Sequence, residues 1–364
     1  MMRPTAYIPN FNGRALLAQL LKSLERQSAR CDVVVVDNGS TDDSVAMMRE
    51  RFPWAEVIEL SDNRGYGRAL NLAVAEYLGD PIIMLNNDVQ CEPDFVEEIT
   101  NELRPGIEMV AGVLTLHGMS NVVDSAGIVA DRRTLMAFDY LHGEPLESVL
   151  GKQAPLAPTG GAALYARAAF EEVGGFDERI HAYYEDLDLG LRLRAAGASC
   201  ALASGATGTH RYSATLGAGS GRKYALTGWS RAYLLRRYAV MRNPARAART
   251  LLCEAAICAG QIALDGTARG ALGRVRGWRE AAGLEQRSLP SEGLIEPPLL
   301  SALGQRLRRR GSTTAQTLIP PEPSAAQPNR PSPPQTPLHT SSVAEQQSNA
   351  DGSDVACMPA KRLE

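Results

Sequence analysis

Through the first hundred residues, short apolar runs alternate with stretches of helical period. Thr5-Ala6-Tyr7-Ile8-Pro9 reads as an opening strand. Residues 14–27 follow as a helix whose apolar face is Leu16, Leu17, Leu20, Leu21 and Leu24. The four valines 33–36 are the kind of run found in a strand buried on both faces. Asp37-Asn38-Gly39-Ser40-Thr41-Asp42 is then a loop, with Asp42 or Asp43 placed to cap a helix bearing Val45, Met48 and Arg49. Val57-Ile58-Glu59-Leu60 predicts a third strand and residues 67–78 a third helix. Ile82-Ile83-Met84-Leu85 predicts a fourth strand, ending in Asn86-Asn87-Asp88. This alternation implies an α/β protein with a Rossmann-like, doubly wound, mostly parallel sheet. Ligands of such sheets bind beyond the carboxyl ends of the strands, where Asp37 and Asp88 both fall.

The pattern is less regular over residues 112–153, which leave room for β-ribbons and an excursion toward a second substrate. It sharpens again at 159–165, a strand, and 167–173, a short helix. Gly174-Gly175-Phe176-Asp177 turns the chain, and the helix predicted over 185–196 is stopped by Gly197. Residues 222–238 and 246–264 read as basic amphipathic helices. Beyond Gly311 the chain is rich in Pro, Ser, Gln and Thr, a composition expected to stay disordered. The expected organisation is a catalytic domain over 1–215, a helical extension over 216–310 and a tail over 311–364.

Composition narrows the classes. A hydrophobic share of 44% with 22% charged residues is ordinary for a globular protein, and a formal charge of -3 suggests no nucleic-acid partner. The six cysteines form no CxxC pair, which points to a reducing, cytoplasmic setting. No signal peptide is visible at the N-terminus. The apolar stretch 251–264 is shorter than the roughly 20 residues a membrane span needs, so an integral membrane protein is not expected.

Charge is nevertheless uneven. Arg222, Lys223, Arg231, Arg236, Arg237, Arg242, Arg246 and Arg249 interleave with Trp229, Tyr233, Leu234, Leu235 and Tyr238. Such a segment is expected to dock peripherally on an anionic membrane, at the inner face of the plasma membrane. The alternative is that its apolar face packs on the catalytic domain.

Three places carry candidate chemistry. Asp37, at the mouth of a buried strand, is suited either to hydrogen-bonding a base and ribose or to capping a helix. Asp88, at the end of another, is suited to holding a hard divalent ion beneath a diphosphate, or to a simple Asn-Asn-Asp turn. Glu185-Asp186-Leu187-Asp188 opens a helix, where acids also favour the helix dipole. Leu189 and Leu193 would bury one face, and Glu185, Asp188 and Arg192 would form an ion-pair ladder, leaving Asp186 to face a cleft. Gly65-Tyr66-Gly67-Arg68-Ala69-Leu70 lacks the third glycine of the dinucleotide fingerprint and stands away from its strand, so that reading is rejected.

Taken together, the chain resembles the family-2 glycosyltransferases of the GT-A fold, especially a bacterial rhamnosyltransferase-like branch. The resemblance rests on Ile8-Pro9-Asn10-Phe11-Asn12-Gly13, Val35-Val36-Asp37-Asn38-Gly39-Ser40-Thr41-Asp42, Asn63-Arg64-Gly65-Tyr66-Gly67 with Asn71, and Leu85-Asn86-Asn87-Asp88. Thr159-Gly160-Gly161, Gly174-Gly175-Phe176-Asp177, Tyr184-Glu185-Asp186-Leu187-Asp188-Leu189 with Arg192, and His210 extend it. It implies a nucleotide-binding set of Pro9, Asn10, Asn12, Asp37, Asn38, Asn63, Gly65, Asn71 and Asn87. It also implies Mg2+ or Mn2+ bound by Asp88 and His210, catalysis by Asp186 with Glu185 beside it, and Gly160, Gly161 and Tyr184 on the acceptor side. Asn86 replaces the first acid of the family's D-x-D pattern, leaving Asp88 most of the metal site. The implied reaction is an inverting transfer from a nucleotide-sugar donor, dTDP-L-rhamnose or a UDP-hexose, to a glycan or lipid-linked acceptor. A sugar-1-phosphate nucleotidyltransferase would need a Gly-rich basic phosphate loop, which residues 8–13 do not supply. A non-catalytic glycan-binding scaffold would be expected to have lost Asp88 or Asp186.

Overall fold

The valine run behaves as its composition predicts. Val33 and Val35 bury into one core and Val34 and Val36 into another, so the strand that carries them is covered on both faces. The computed structural model describes residues 3–211 and 220–298, and the expected disordered tail at 311–364 lies outside the described residues.

Chain order runs β1 (Thr5–Asn10), α1 (Arg14–Glu25), β2 (Asp32–Asp37), α2 (Ser44–Arg51), β3 (Glu56–Glu59), α3 (Tyr66–Glu76) and β4 (Ile82–Leu85). Next come β5 (Val89–Cys91), α4 (Phe95–Asn101), β6 (Met109–Leu116), β7 (Met119–Ser125), β8 (Ile128–Ala130) and β9 (Ala137–Asp139). The remainder is β10 (Ala162–Tyr165), α5 (Arg167–Glu172), α6 (Glu185–Ala195), β11 (Cys200–His210), α7 (Gly221–Arg237), α8 (Pro244–Asp265) and α9 (Arg269–Glu280).

Strands pair in the order β3-β2-β1-β4-β10-β6-β11-β5, with β7 on β6. β1 to β4 are parallel, β10 runs against both its neighbours, and β6 and β11 are again parallel to each other. The mixed, mostly parallel α/β sheet expected of a GT-A protein is therefore present. One core packs α1, α2 and α4 on the sheet; the other packs α3, α6 and α7.

Local chemistry fixes the loops at the sheet's carboxyl edge. Asp42 accepts from the Ser44 amide at 3.2 Å and from the Arg14 amide at 2.9 Å, so one carboxylate serves the starts of both α1 and α2. Gly65, at φ 91°, lies against His181, whose carbonyl oxygen would be 2.6 Å from a side-chain Cβ.

The C-terminal helices differ from the sequence expectation. The boundary drawn at residue 215 falls between β11 and α7, yet Tyr233, Leu234 and Leu235 of α7 belong to the same core as Tyr7 and Met84. Arg231 is fully buried, donating to Glu254 Oε1 at 2.8 Å and to the Thr134 and Leu135 carbonyls. Arg237 is buried and donates to the Glu285 carbonyl. The face expected to meet lipid is thus largely interior, and packing on the domain is the reading that describes α7.

α8 is also longer than its apolar stretch suggested. At 22 residues it is long and apolar enough, by length and composition, to cross a membrane, so the length argument against a span fails. Its Cys253 packs with Met136 and Phe138, and its Glu254 is held between Arg231 and Arg274. α9, absent from the sequence reading, lies along α7 through glycines. A Cβ on Gly273 or Gly277 would stand 2.2 and 2.1 Å from the Ala225 and Trp229 carbonyl oxygens.

Candidate active site

Beyond the carboxyl ends of β1, β2 and β4 lies a cavity of about 900 Å³, a size suited to a substantial small-molecule ligand. Pro9, Asn10, Asn38, Asn63, Gly65, Asn87, Asp88, Gly160, Gly161, Tyr184, Glu185, Asp186 and His210 all line it. Asp37, Asn12 and Asn71 do not.

Those three have structural partners. Asp37 is buried behind the wall, accepting from the Ser40 amide at 2.8 Å and from Asn10 Nδ2 at 3.0 Å. Asn10 in turn accepts from Asn87 Nδ2 at 2.8 Å, so a chain of three side chains sets the floor of the cavity. Asn12 accepts from the Thr41 amide at 2.7 Å. Asn71 binds both the amide and the carbonyl of Phe176, at 2.9 and 3.0 Å, tying α3 to the Gly174-Gly175 turn. Asn38 is the organiser of the facing loop, donating to the Gly65 carbonyl at 3.1 Å and accepting from the Arg64 amide at 2.8 Å.

Across the cavity, α6 begins after Tyr183 and Tyr184, which have φ of 68° and 70°. Consecutive bulky residues in the left-handed region cost roughly 1–3 kcal/mol each and recur where a site requires a fixed geometry. They deliver Glu185 and Asp186 to the cavity wall. Asp186 Oδ2 accepts from the Gly160 amide at 3.2 Å and Oδ1 from the Leu187 amide at 2.8 Å. Burial raises its pKa above the ordinary carboxylate range, against the opposing pull of those two amides. Glu185 is pushed up to about 8, by burial first and the neighbouring Asp186 charge second. Its Oε2 has no hydrogen-bond partner among the described residues. Glu185 therefore stands in the cavity rather than in the expected ladder. Asp188 does pair with Arg192, at 2.8 Å, and also takes Arg287 at 2.5 Å and Tyr238 at 3.0 Å.

The metal candidates meet at the end of β4, in the same cavity. His210 Nε2 is 3.3 Å from Asp88 Oδ1, which accepts no hydrogen bond among the described residues. His210 Nδ1 is 2.6 Å from Asp124 Oδ2. Burial disfavours a charge on His210, but Asp88 and Asp124 outweigh it and raise the pKa well above the ordinary histidine value. Among the described residues no three His, Cys, Asp or Glu side chains cluster closely enough to hold an ion. Two donors do fit Mg2+ or Mn2+, which take one or two protein ligands and complete their shell with phosphate oxygens and water. A buried carboxylate oxygen facing an imidazole nitrogen at 3.3 Å is such a pair.

Sequence reasoning missed Asp124, which belongs to a short segment, Val122-Val123-Asp124-Ser125, without a local motif. It also assigned Arg222 and Lys223 to a membrane face, whereas both border the cavity.

Residues 5–174 match the family model Glycosyl transferase family 2. With this fold and site, the match identifies a nucleotide-sugar-dependent glycosyltransferase, an enzyme of class EC 2.4. The family-2 match covers the segment that carries β1 to β4 and the turn bearing Asp88. It is 29% identical over 215 residues to the N-acetylglucosaminyl-diphospho-decaprenol L-rhamnosyltransferase of Mycobacterium tuberculosis, covering 52% of this chain and 69% of that protein. It is 27% identical over 194 residues to the O-antigen biosynthesis protein RfbC of Myxococcus xanthus, covering 50% of this chain and 15% of the relative. A mannosyltransferase from Pyrobaculum calidifontis, solved with GDP-Man and Mn2+, is similar at a TM-score of 0.47 and 18% identity, over 87% of this chain and 84% of that one.

Proposed function

We propose that this enzyme transfers L-rhamnose from dTDP-L-rhamnose to a lipid-linked glycan of the cell surface, with a UDP-hexose as the alternative donor. The observation that carries the reading is the presence, in one cavity, of the Asp186 carboxylate and the Asp88–His210 pair. Similarity to the mycobacterial rhamnosyltransferase supports the donor sugar and the lipid-linked acceptor.

On this reading the nucleoside lies along Pro9, Asn10 and Asn38, with Asp37 bracing that wall from behind. Asp88 and His210 would hold Mg2+ or Mn2+, whose charge offsets that of the diphosphate. Arg222 and Lys223 add positive charge at the rim. Asp186 takes the proton of the acceptor hydroxyl as that oxygen attacks the anomeric carbon. The bond from that carbon to the diphosphate breaks, its electron pair leaves with the nucleoside diphosphate, and the configuration inverts. Glu185, holding its proton at neutral pH, adds no second negative charge beside the base. The enzyme then works in the cytoplasm, at the inner face of the plasma membrane.

A donor screen that measures release of nucleoside diphosphate tests this. Release with dTDP-L-rhamnose, dependent on acceptor and a divalent ion, is expected. Release with none of the nucleotide sugars, or full activity in excess chelator, would refute it.

A further inference from the structure

α8 has two faces of different character. Inward, Thr250, Cys253 and Glu254 are buried against the domain. Outward, Leu251, Leu252 and Ile262 are 59%, 65% and 52% exposed, with small exposed alanines between them. From Thr250 to Leu264 the helix has one charged residue, Glu254, and it points inward. The neighbouring α9 adds exposed Leu272, Val275 and Trp278. Its exposed cations Arg269, Arg276 and Arg279 stand against a single acid, Glu280.

We propose that the outward faces of α8 and α9 form a docking surface for an anionic lipid bilayer, with α8 lying along the headgroup layer. The chemistry of the strip chooses lipid as the occupant, and its position beside the cavity accords with that choice. An apolar strip flanked by arginines matches acyl chains beneath negative headgroups, each arginine near the surface strengthening attachment. The same helix also walls the active-site cavity, through Ala256, Ile257, Gly260, Gln261 and Leu264. Leu264, on the cavity side of the helix, is 65% exposed, so the cavity reaches the surface beside the apolar strip. An acceptor anchored in the bilayer would reach the cavity without leaving the membrane surface. This last point rests on the lipid-linked acceptor proposed above; the docking surface itself does not. The buried contacts of Cys253 and Glu254 keep α8 on the domain rather than across the bilayer.

Flotation of the full chain with vesicles decides it, with no donor or acceptor present. Vesicles of phosphatidylcholine containing phosphatidylglycerol should carry the protein; pure phosphatidylcholine should carry much less; added salt should weaken the binding. Leu251→Glu with Leu252→Glu should lower the bound fraction more than about tenfold. Neither leucine lines the cavity, so nucleoside diphosphate release with a soluble acceptor should be kept. Arg269→Glu with Arg279→Glu should remove the preference for anionic vesicles. Equal recovery with both vesicle types, or none with either, would overturn the proposal. So would a dimer in solution that the leucine substitutions dissolve, since a second copy would then cover the face. Resistance to alkaline carbonate extraction would show a span instead. Vesicle binding without any transferase activity would leave this surface standing while refuting the proposed reaction.

Discussion

The Gly160 amide donates to Asp186 Oδ2 at 3.2 Å, joining the glycine pair that precedes β10 to the first turn of α6. The carboxylate is therefore fixed from two elements at once, because the Leu187 amide holds its other oxygen at 2.8 Å. Burial raises its basicity while the two amides restrain it, leaving a base held in one orientation. Asp186→Asn keeps the size and cannot take the proton. Turnover should fall by roughly 10²–10⁴-fold with donor affinity largely retained. Rapid-quench turnover beside calorimetric donor titration reads both.

Asp188, two residues on, should behave oppositely. It is fully buried and its charge is matched by Arg192 and Arg287. Asp188→Asn leaves buried guanidinium charge without its partner, a loss of about 3–5 kcal/mol in such settings. Urea melts should show that loss, while turnover per folded molecule stays near the wild-type value. A selective loss of the chemical step would assign the base to Asp188 instead.

Glu185 makes stability depend on pH. The folded protein holds its proton up to about pH 8, whereas the unfolded chain releases it near the ordinary glutamate value of 4.5. Above that lower value the unfolded state binds fewer protons, so stability declines as pH rises and the decline ends near pH 8. Glu185→Gln removes the ionisation. The variant should match the wild type near pH 4.5 and exceed it at pH 8 by roughly 1–4 kcal/mol. Chemical melts across that range would show it; a constant difference would contradict it.

Glu254 works the other way. Burial alone would raise its pKa, but Arg231 and Arg274 outweigh that and lower it to about 2. Its contribution is present above the ordinary carboxylate value and is lost as pH falls toward 2. Glu254→Gln should lower the melting temperature at pH 7, and the two proteins should converge in acid.

Asp124 should be felt through the metal. The aspartate fixes the His210 ring from behind at 2.6 Å, and partners of ligating histidines typically contribute 10- to 100-fold, about 1–3 kcal/mol, to metal affinity. Asp124→Asn should weaken Mn2+ binding in the presence of dTDP by about that factor. Asp88→Ala should abolish it. Paramagnetic titration reports this without turnover.

Strong periodicity explains what was legible in the sequence. β1, α1, β2 and β4 carry large aliphatic side chains, and their spacing states both the element and its burial. β11 was not seen because Cys200–His210 is mostly Ala, Gly, Ser and Thr, with Leu202 its one large aliphatic residue, which leaves no hydrophobic alternation to read. α9 was not seen because its three glycines argue against a helix. In the site, residues at strand ends were found, since topology places them. Asp124 was not, because its role depends on a histidine 86 positions later in the chain. The ion-pair ladder failed at Glu185 for a similar reason: helix spacing says which residues are neighbours, not which of them a cavity claims.

The glycine seam between α7 and α9 also makes one helix depend on the other. Each glycine within a helix costs about 1 kcal/mol relative to alanine, and α9 has three in twelve residues. Alone in water such a segment would remain coil, since even good helix formers of that length are marginal. Only the carbonyl-lined groove of α7, close enough to exclude any Cβ, makes the helical form favourable. α7 in turn owes its place to the sheet beneath it. α9 is therefore a helix by virtue of its partner: its conformation depends on a surface that the folded catalytic core holds in place.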